Sequence, residues 1–194
     1  MKKLLAILLS LVMVVSLTSC GSQPQKKVVN VYNWEDYIDE SVLEQFEQET
    51  GIHVNYMNFT TNEDMMVQVR ANPGAYDVIF PSEYCVEQLM AEGLLAEINY
   101  DNVPNAVQTL PNLLNPSYDP NNAHSVPYMW GTVGILYNTK MVSDPVDSWA
   151  ILWNEKYQKN VFMLDSYRDS MGVALASLGY SMNTEDIVAL ELAK

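Results

Sequence analysis

Aromatic and acidic side chains occur together in this 194-residue sequence at three places where a predicted strand ends. These are YNWEDY (residues 32–37), PSEY (81–84) and LDSYRD (164–169). The face of a Trp or Tyr ring stabilises a nearby ammonium group by about 0.5–2 kcal/mol, and a carboxylate adds a charge-assisted hydrogen bond. The three segments therefore predict a cleft for an extended organic cation, with YNWEDY as one wall.

Each of these side chains also has a structural interpretation. Trp34 could pack at a strand–helix corner, Tyr37 and Tyr84 could be surface aromatics, and Ser82 could cap a helix. Asp169 could be an N-cap acid favoured by the helix dipole, whereas Glu83 and Asp165 are typical of solvated carboxylates. The sequence leaves both interpretations open for the residues that would line such a cleft: Trp34, Glu35, Asp36, Tyr37, Ser82, Tyr84, Asp165 and Asp169.

Strand and helix patterns alternate along the chain. We predict strands at 28–33, 52–56, 76–80, 131–138 and 159–165, and the almost wholly apolar YDVIF (76–80) indicates a strand buried on both faces. This order predicts an α/β fold with mainly parallel strands and helices on both faces of the sheet. In such folds the ligand lies outside the carboxyl ends of the strands, near the switch point.

The helices are predicted from their capping residues and apolar faces. Ser41 with Glu44 forms a capping box for the first helix, which Gly51 ends. Further helices are predicted in NEDMMVQVRA, YCVEQLMAE, RDSMGVALASLGY and TEDIVALELAK, and SDPVDSWAILW is predicted to supply a loop and a helix with Asp147 or Ser148 as N-cap. Residues 99–127 are predicted to form either one long ordered loop or a set of short turns. Trp149 and Trp153 are predicted to pack against the fold, and Met65, Met66 and the other methionines to fill the core.

The N-terminal residues predict export. Residues 1–19 have a basic start, an apolar run too short to span a membrane and a cleavage site, which is typical of a signal peptide. LTSC resembles a bacterial lipobox, so Cys20 is the predicted lipidation site, and residues 20–27 form a polar tether. Cys85 is then a lone cysteine, expected to be buried, and no intrachain disulfide is expected.

Composition and motifs exclude several classes of function. With 24 acidic and 10 basic residues, the net charge of −14 disfavours nucleic acid and anionic lipid as partners. His53 and His124 stand far apart without Cys or Glu at ligand spacing, so we expect neither a metal site nor a cofactor. Paired carboxylates at Glu35/Asp36 and Asp165/Asp169 leave open a glycoside hydrolase that uses Asp36 and Asp169. Besides a binding protein and a hydrolase, a third class is a ligand-sensing domain that signals to a receptor.

Longer blocks of the sequence resemble a known family. YNWEDY, GAYDVIFPSEYCVEQLMAEGLLAEI, YDPNNAHSVPYMWGTVGILYN and SWAILWNEKY together resemble the bacterial spermidine/putrescine-binding lipoproteins of polyamine ABC importers. The resemblance covers residues 28–185. It implies a two-lobed periplasmic-binding-protein-like (type II) fold, no enzymatic activity, a polyamine ligand, an ABC permease as partner and a monomer held to the outer face of the cytoplasmic membrane, or in a periplasm, through Cys20.

The resemblance also assigns roles to individual residues. Trp34 and Tyr37 would contact the methylenes and amines of the ligand, Asp36 would accept from a terminal amine, and Ser82 and Tyr84 would match a Ser-x-Tyr motif. Asp169 would be the second acid of the second lobe, shortened from Glu. Ser166 stands where the family has the first acid, with Asp165 one residue earlier, and this departure bears on the contact with the middle amine of spermidine.

The same resemblance divides the chain into lobes. Residues 28–131 would form a largely present first lobe, and 132–194 a hinge crossing and an incomplete second lobe. Further pocket residues of the family would lie beyond Lys194, so the sequence is expected to be a fragment. We therefore expect the 194-residue chain by itself to bind a polyamine weakly or not at all.

Overall fold

The structure is a computed structural model that describes residues 27–109 and 111–194. The predicted signal peptide (1–19), Cys20 and the tether up to residue 26 lie outside the described residues. Within the described part of the chain, no helix combines the length and the apolar character that crossing a membrane requires.

Three parallel strands form the sheet, in the order β2-β1-β3. They are β1 (Val28–Trp34), β2 (His53–Phe59) and β3 (Val78–Ile79). The register aligns Val28 with His53 and Trp34 with Phe59, so β1 and β2 pair along their whole length. The three strand positions are confirmed, but the prediction that 76–80 is buried on both faces is wrong. Val78 is 43% exposed, because among the described strands β3 is an edge strand whose one neighbour is β1.

A helix follows each strand: α1 (Glu40–Thr50), α2 (Asn62–Ala71) and α3 (Glu83–Ala91). The predicted capping box at Ser41 is wrong, because the Asp39 carboxylate accepts the backbone N–H of Ser41 at 2.9 Å and starts the helix earlier. Gly51 ends α1 as predicted. Its φ of 70° is favourable for glycine, and its N–H donates to Glu47 O at 2.9 Å.

The core lies between the sheet and the helices α2 and α3. Met65, Cys85 and Leu89 are fully buried and pack with Tyr32 and with three further buried residues, namely Phe59, Met66 and Val69. α1 has no buried residue. Because parallel crossovers are right-handed, the steps β1-α1-β2 and β2-α2-β3, which move in opposite directions along the sheet, place α1 and α2 on opposite faces. The predicted core role of Met65 and Met66 is confirmed, but the same prediction for the other methionines is wrong at Met129 and Met141, which are 57% and 66% exposed.

Cys85 is expected to be chemically inert while the protein is folded. Burial raises the pKa of its thiol from 9.0 to about 12, so the nucleophilic thiolate is scarce at pH 8. In a Cys20→Ser background, we expect a disulfide reagent such as DTNB to react about 1,000-fold more slowly at pH 8 with the folded protein than with the protein in urea. Equal rates in both states would show that Cys85 is exposed.

Residues 99–109 and 111–127 contain short 3-10 turns, which is the second of the two predicted alternatives: Tyr100–Asn102, Pro104–Gln108, Pro111–Leu113 and Pro120–Asn122. The carboxylate of Asp119 is fully buried at the centre of the last turns. It accepts from Ser125 Oγ at 2.6 Å, from Ser125 N at 2.7 Å and from His124 N at 3.2 Å. These hydrogen bonds hold the loop turned back on itself, just before Tyr128 in the sequence.

The predicted strands at 131–138 and 159–165 are wrong, because both segments are irregular in the structure. Leu136 is 100% exposed and Phe162 is 92% exposed. A strand is stable only when a neighbouring strand satisfies its backbone groups, and no described segment pairs with either one. An apolar pattern without such a partner does not produce a strand.

Helices α4 (Tyr167–Ser177) and α5 (Ile187–Ala193) pack on each other as the last elements, and both were predicted. The helix predicted in SDPVDSWAILW is instead a five-residue 3-10 helix, Trp149–Trp153, preceded by Ser148. With three residues per turn, positions four apart point in different directions. Trp149 is accordingly half-buried, whereas Trp153 is 56% exposed, so the predicted packing of Trp153 is wrong.

Candidate functional site

The carboxyl ends of β1 and β3 lie side by side, and the chain leaves them toward opposite faces of the sheet. This divergence is the switch point at which α/β proteins bind ligands. Phe80 N donates to Tyr32 O at 3.1 Å, which continues the strand pairing by one residue. The segments YNWEDY and PSEY therefore meet at the carboxyl-terminal end of the sheet, as the sequence predicts.

Trp34, the last residue of β1, is held at this end of the sheet by contacts on several sides. Its indole Nε1–H donates to Phe80 O at 2.8 Å, and its ring lies 4.6 Å from the Phe59 ring and 5.6 Å from the Tyr37 ring, centroid to centroid. The side chain is half-buried, so part of the ring is accessible. Trp34 thus packs at the strand–helix corner, as the structural interpretation predicts, and also presents a rigid aromatic surface.

Two carboxylates follow Trp34 directly. Glu35 and Asp36 are exposed, and no described residue forms a hydrogen bond or ion pair with either side chain. Tyr37 is 43% exposed, and its carbonyl oxygen accepts a hydrogen bond from the hydroxyl of Tyr128. The loop therefore offers unneutralised negative charge next to aromatic rings, in a backbone that a distant residue holds in place.

Ser82 occupies the N-cap position of α3, but its side chain makes no capping hydrogen bond. Its hydroxyl instead accepts from Asn62 Nδ2 at 2.9 Å, and its N–H donates to Asn62 Oδ1 at 3.2 Å. The expected capping role of the Ser82 side chain is therefore wrong, because Asn62 engages the hydroxyl.

Tyr84 begins the same helix and is half-buried. Its hydroxyl donates to Glu63 Oε1 at 3.4 Å, and its ring makes an edge-on contact with Tyr167 at 5.5 Å. Burial raises the pKa of this hydroxyl above its ordinary value, so it stays protonated and neutral at physiological pH. Tyr84 is therefore available as a hydrogen-bonding group and an aromatic surface, not as a charge.

The third predicted segment begins α4. Ser166, and not Asp169, is the N-cap: the Ser166 hydroxyl accepts from Asp169 N at 3.2 Å, so the prediction of Asp169 as N-cap is wrong. Asp169 lies in the first turn and is half-buried, Asp165 is exposed, and no described residue pairs with either carboxylate. Through the contact of Tyr167 with Tyr84, this segment meets the end of the sheet where PSEY lies.

Three residues of this site are not among those predicted from the sequence. Tyr128 lies 91 residues from Tyr37, and its ring packs edge-on against Phe80 at 4.8 Å. In the sequence, Asn62 is only a polar residue at the start of a predicted helix. Tyr167 is an aromatic residue between two candidate residues and has no pattern of its own. Tyr128 stands in the PYMWGT block, so it could have been found from that block, whereas Asn62 and Tyr167 depend on tertiary contacts.

Comparison with known proteins agrees with this geometry. Residues 41–191 match the family described as "Bacterial extracellular solute-binding protein". The chain belongs to this family. The match covers most of the described chain, from Ser41 in α1 to Glu191 in α5, and confirms the predicted periplasmic-binding-protein-like fold class.

Individual members of the family support the same conclusion. The chain is 39% identical over 165 residues to the "Spermidine/putrescine-binding periplasmic protein" of Salmonella typhimurium, with 84% of this chain and 47% of that protein covered. Among solved structures, a spermidine/putrescine ABC transporter protein of Listeria monocytogenes is 36% identical with a TM-score of 0.82, over 86% of this chain and 52% of the other.

A second solved structure is the spermidine/putrescine ABC transporter substrate-binding protein PotD from Streptococcus pneumoniae, 42% identical with a TM-score of 0.69 over 86% of this chain and 52% of that one. This solute-binding chain thus spans about half the length of the curated relatives and solved structures that it matches.

Proposed function

We propose that this solute-binding protein is the extracytoplasmic binding component of a polyamine ABC transporter and that its ligand is spermidine or putrescine. The observation that carries the proposal is the pair of carboxylates of Glu35 and Asp36, which no described residue pairs with, beside the fixed ring of Trp34 at the switch point of the sheet. A polyamine combines protonated amines, which such carboxylates bind, with methylenes, which lie against aromatic rings.

The proposed binding mechanism uses residues on two sides of the cleft. Trp34, Asp36 and Tyr37 belong to the sheet side, and Asp169 belongs to α4, which reaches the sheet through the Tyr84–Tyr167 contact. A diamine with one amine on each side bridges the two acids and shifts the population toward the closed arrangement of two lobes. The set of proposed ligand contacts is completed by Glu35, Ser82, Tyr84, Asp165 and Ser166. Residues 28–131 and 132–194 are the proposed lobes.

Two other functions remain as outcomes of the test. A binding protein for another organic cation would use the same carboxylates, and a glycoside hydrolase would use Asp36 and Asp169 as its acid and base. The similarity to transport proteins favours binding without chemistry, so we propose that the protein is not an enzyme. Export, lipid attachment at Cys20, a monomeric state and an ABC permease as partner belong to the same proposal.

Isothermal titration calorimetry on the complete gene product that contains residues 27–194 tests the proposal. Putrescine and spermidine should bind, butylamine should bind much more weakly, and the uncharged isostere 1,4-butanediol should not bind. A wild-type protein that binds neither polyamine, or binds the diol equally well, would refute the polyamine function. Release of a chromogenic group from aryl glycosides would instead establish the hydrolase.

Ser166 offers a gain-of-function test. Asp at this position can cap α4 as Ser does, because both side chains accept the N–H of Asp169, and it adds a carboxylate to the site. We therefore expect Ser166→Asp to leave the melting temperature nearly unchanged and to tighten spermidine binding by roughly tenfold, the effect of about 1.4 kcal/mol from one charge-assisted hydrogen bond.

The matched control is Ser166→Ala, which removes the cap without adding charge. It should lower stability by about 1 kcal/mol and should not tighten binding. Equal spermidine affinities for Ser166→Asp and the wild type would place residue 166 outside the ligand contacts.

A further inference from the structure

Asn62 is buried against the proposed binding wall, with 4% of its surface exposed, although it is a polar residue. It is the first residue of α2, and neither its position nor the sequence pattern around it points to a ligand. Buried amides are retained in folded proteins when their hydrogen bonds are satisfied, and those bonds fix the orientation of their partners. The partners of Asn62 show what it orients.

Both ends of the Asn62 amide hold Ser82. Nδ2 donates to Ser82 Oγ at 2.9 Å, and Oδ1 accepts from Ser82 N at 3.2 Å, across 20 residues of sequence. Because the hydroxyl and the backbone are both engaged, the Ser82 side chain has one orientation and the chain has a fixed direction as it enters α3. The Asn62 amide therefore holds the N-cap residue of α3 from a neighbouring helix.

The same region of α2 also reaches Tyr84. The Tyr84 hydroxyl donates to Glu63 Oε1 at 3.4 Å. Burial is the main influence on the pKa of this hydroxyl and raises it. The start of α2 thus contacts both members of the Ser-x-Tyr pair.

We propose that Asn62 is a positioning residue for the binding site, which acts on the ligand through Ser82 and Tyr84 without touching it. This inference rests on the proposed function and extends it from the residues that line the cleft to one residue that orients them. It predicts that removal of the Asn62 amide weakens ligand binding more than the loss of folding stability explains, and that the effect depends on Ser82.

A double-mutant cycle tests this dependence. Spermidine affinity is measured for the wild type, Asn62→Ala, Ser82→Ala and the double variant, in the complete gene product. We expect Asn62→Ala to weaken binding roughly tenfold when Ser82 is present, the magnitude of one lost hydrogen bond in the ligand contacts, and less than about threefold in the Ser82→Ala background.

Two further variants separate positioning from general stability. Asn62→Asp keeps the shape and an acceptor for Ser82 N, at a helix N-terminus that favours negative charge, and should restore affinity to within about threefold of the wild type. Asn122→Ala removes an asparagine of nearly equal burial, 5% exposed, from the loop, and should lower the melting temperature with no effect on affinity.

A readout without ligand completes the test. In the wild type, the backbone N–H of Ser82 donates to Asn62 Oδ1. In Asn62→Ala this proton should exchange with solvent at least about tenfold faster, while the backbone N–H groups of β1 in the core stay protected. Unchanged exchange at Ser82, or unchanged spermidine affinity in Asn62→Ala, would overturn the inference. A wild type that binds no polyamine would refute the proposed function, and with it the effect on binding, whatever the exchange data show.

Discussion

Replacement of Trp34 by alanine is expected to weaken spermidine binding on the order of 100-fold. The estimate adds about 0.5–2 kcal/mol for an ammonium on an indole face to about 0.8 kcal/mol for each ligand methylene that the ring covers, with 1.4 kcal/mol for every tenfold change in affinity. Trp34 is rigid before ligand arrives, because Phe80 O accepts its indole N–H at 2.8 Å. Little of its contact energy is therefore spent on ordering the ring.

Two controls define this effect. Trp34→Phe keeps an aromatic face beside Phe59 and Tyr37 but loses the indole N–H, so it should cost no more than about tenfold. Trp153→Ala removes a tryptophan that is 56% exposed and belongs to none of the three segments, so its affinity should equal that of the wild type. Calorimetric titration measures all three, and an unchanged affinity in Trp34→Ala would remove Trp34 from the site.

The second large effect concerns the core that carries the site. Leu89 is fully buried on α3 and packs in the cluster that contains Met65 and Cys85. Leu89→Ala removes buried methylenes and leaves a cavity, so we expect the free energy of unfolding to fall by about 2–5 kcal/mol. Because α3 carries Ser82 and Tyr84 at its start, the same loosening should also raise hydrogen exchange at the Ser82 amide.

Leu192→Ala is the matched control, since it makes the same substitution at a residue of α5 that is 62% exposed. Its effect on the free energy of unfolding should stay within about 0.5 kcal/mol. Urea denaturation followed by circular dichroism measures both variants. Similar losses for Leu89 and Leu192 would mean that α3 does not pack into the core as the structure shows.

The features that the sequence predicts are those that depend on local patterns. The strands that became β1 and β2, the helices from α1 to α5 and the glycine that ends α1 follow from period and capping chemistry, and the structure contains them. The proximity of YNWEDY and PSEY can also be predicted from the sequence, because the carboxyl ends of neighbouring parallel strands lie at the same end of the sheet. Asp39 was missed as an N-cap because Ser41 matches the capping-box pattern equally well.

The features that the sequence does not predict depend on partners far along the chain. Residues 131–138 and 159–165 have the composition of strands, but a strand needs a neighbour to pair with, and periodicity carries no information about that neighbour. The same limit applies inside the site. The bond between Tyr128 and the Tyr37 carbonyl and the two bonds between Asn62 and Ser82 join segments whose proximity only the fold creates.

The most direct test of the central claim is the response of the tryptophan indole N–H signals in a two-dimensional NMR spectrum to added spermidine. The sequence contains four tryptophans, and Trp34→Phe assigns the signal of Trp34. The account predicts that this signal shifts progressively and saturates with the calorimetric affinity, while the signal of Trp153 stays in place. Saturable binding of spermidine that leaves the Trp34 signal unmoved would contradict it, because the ligand would then lie away from the carboxyl end of β1.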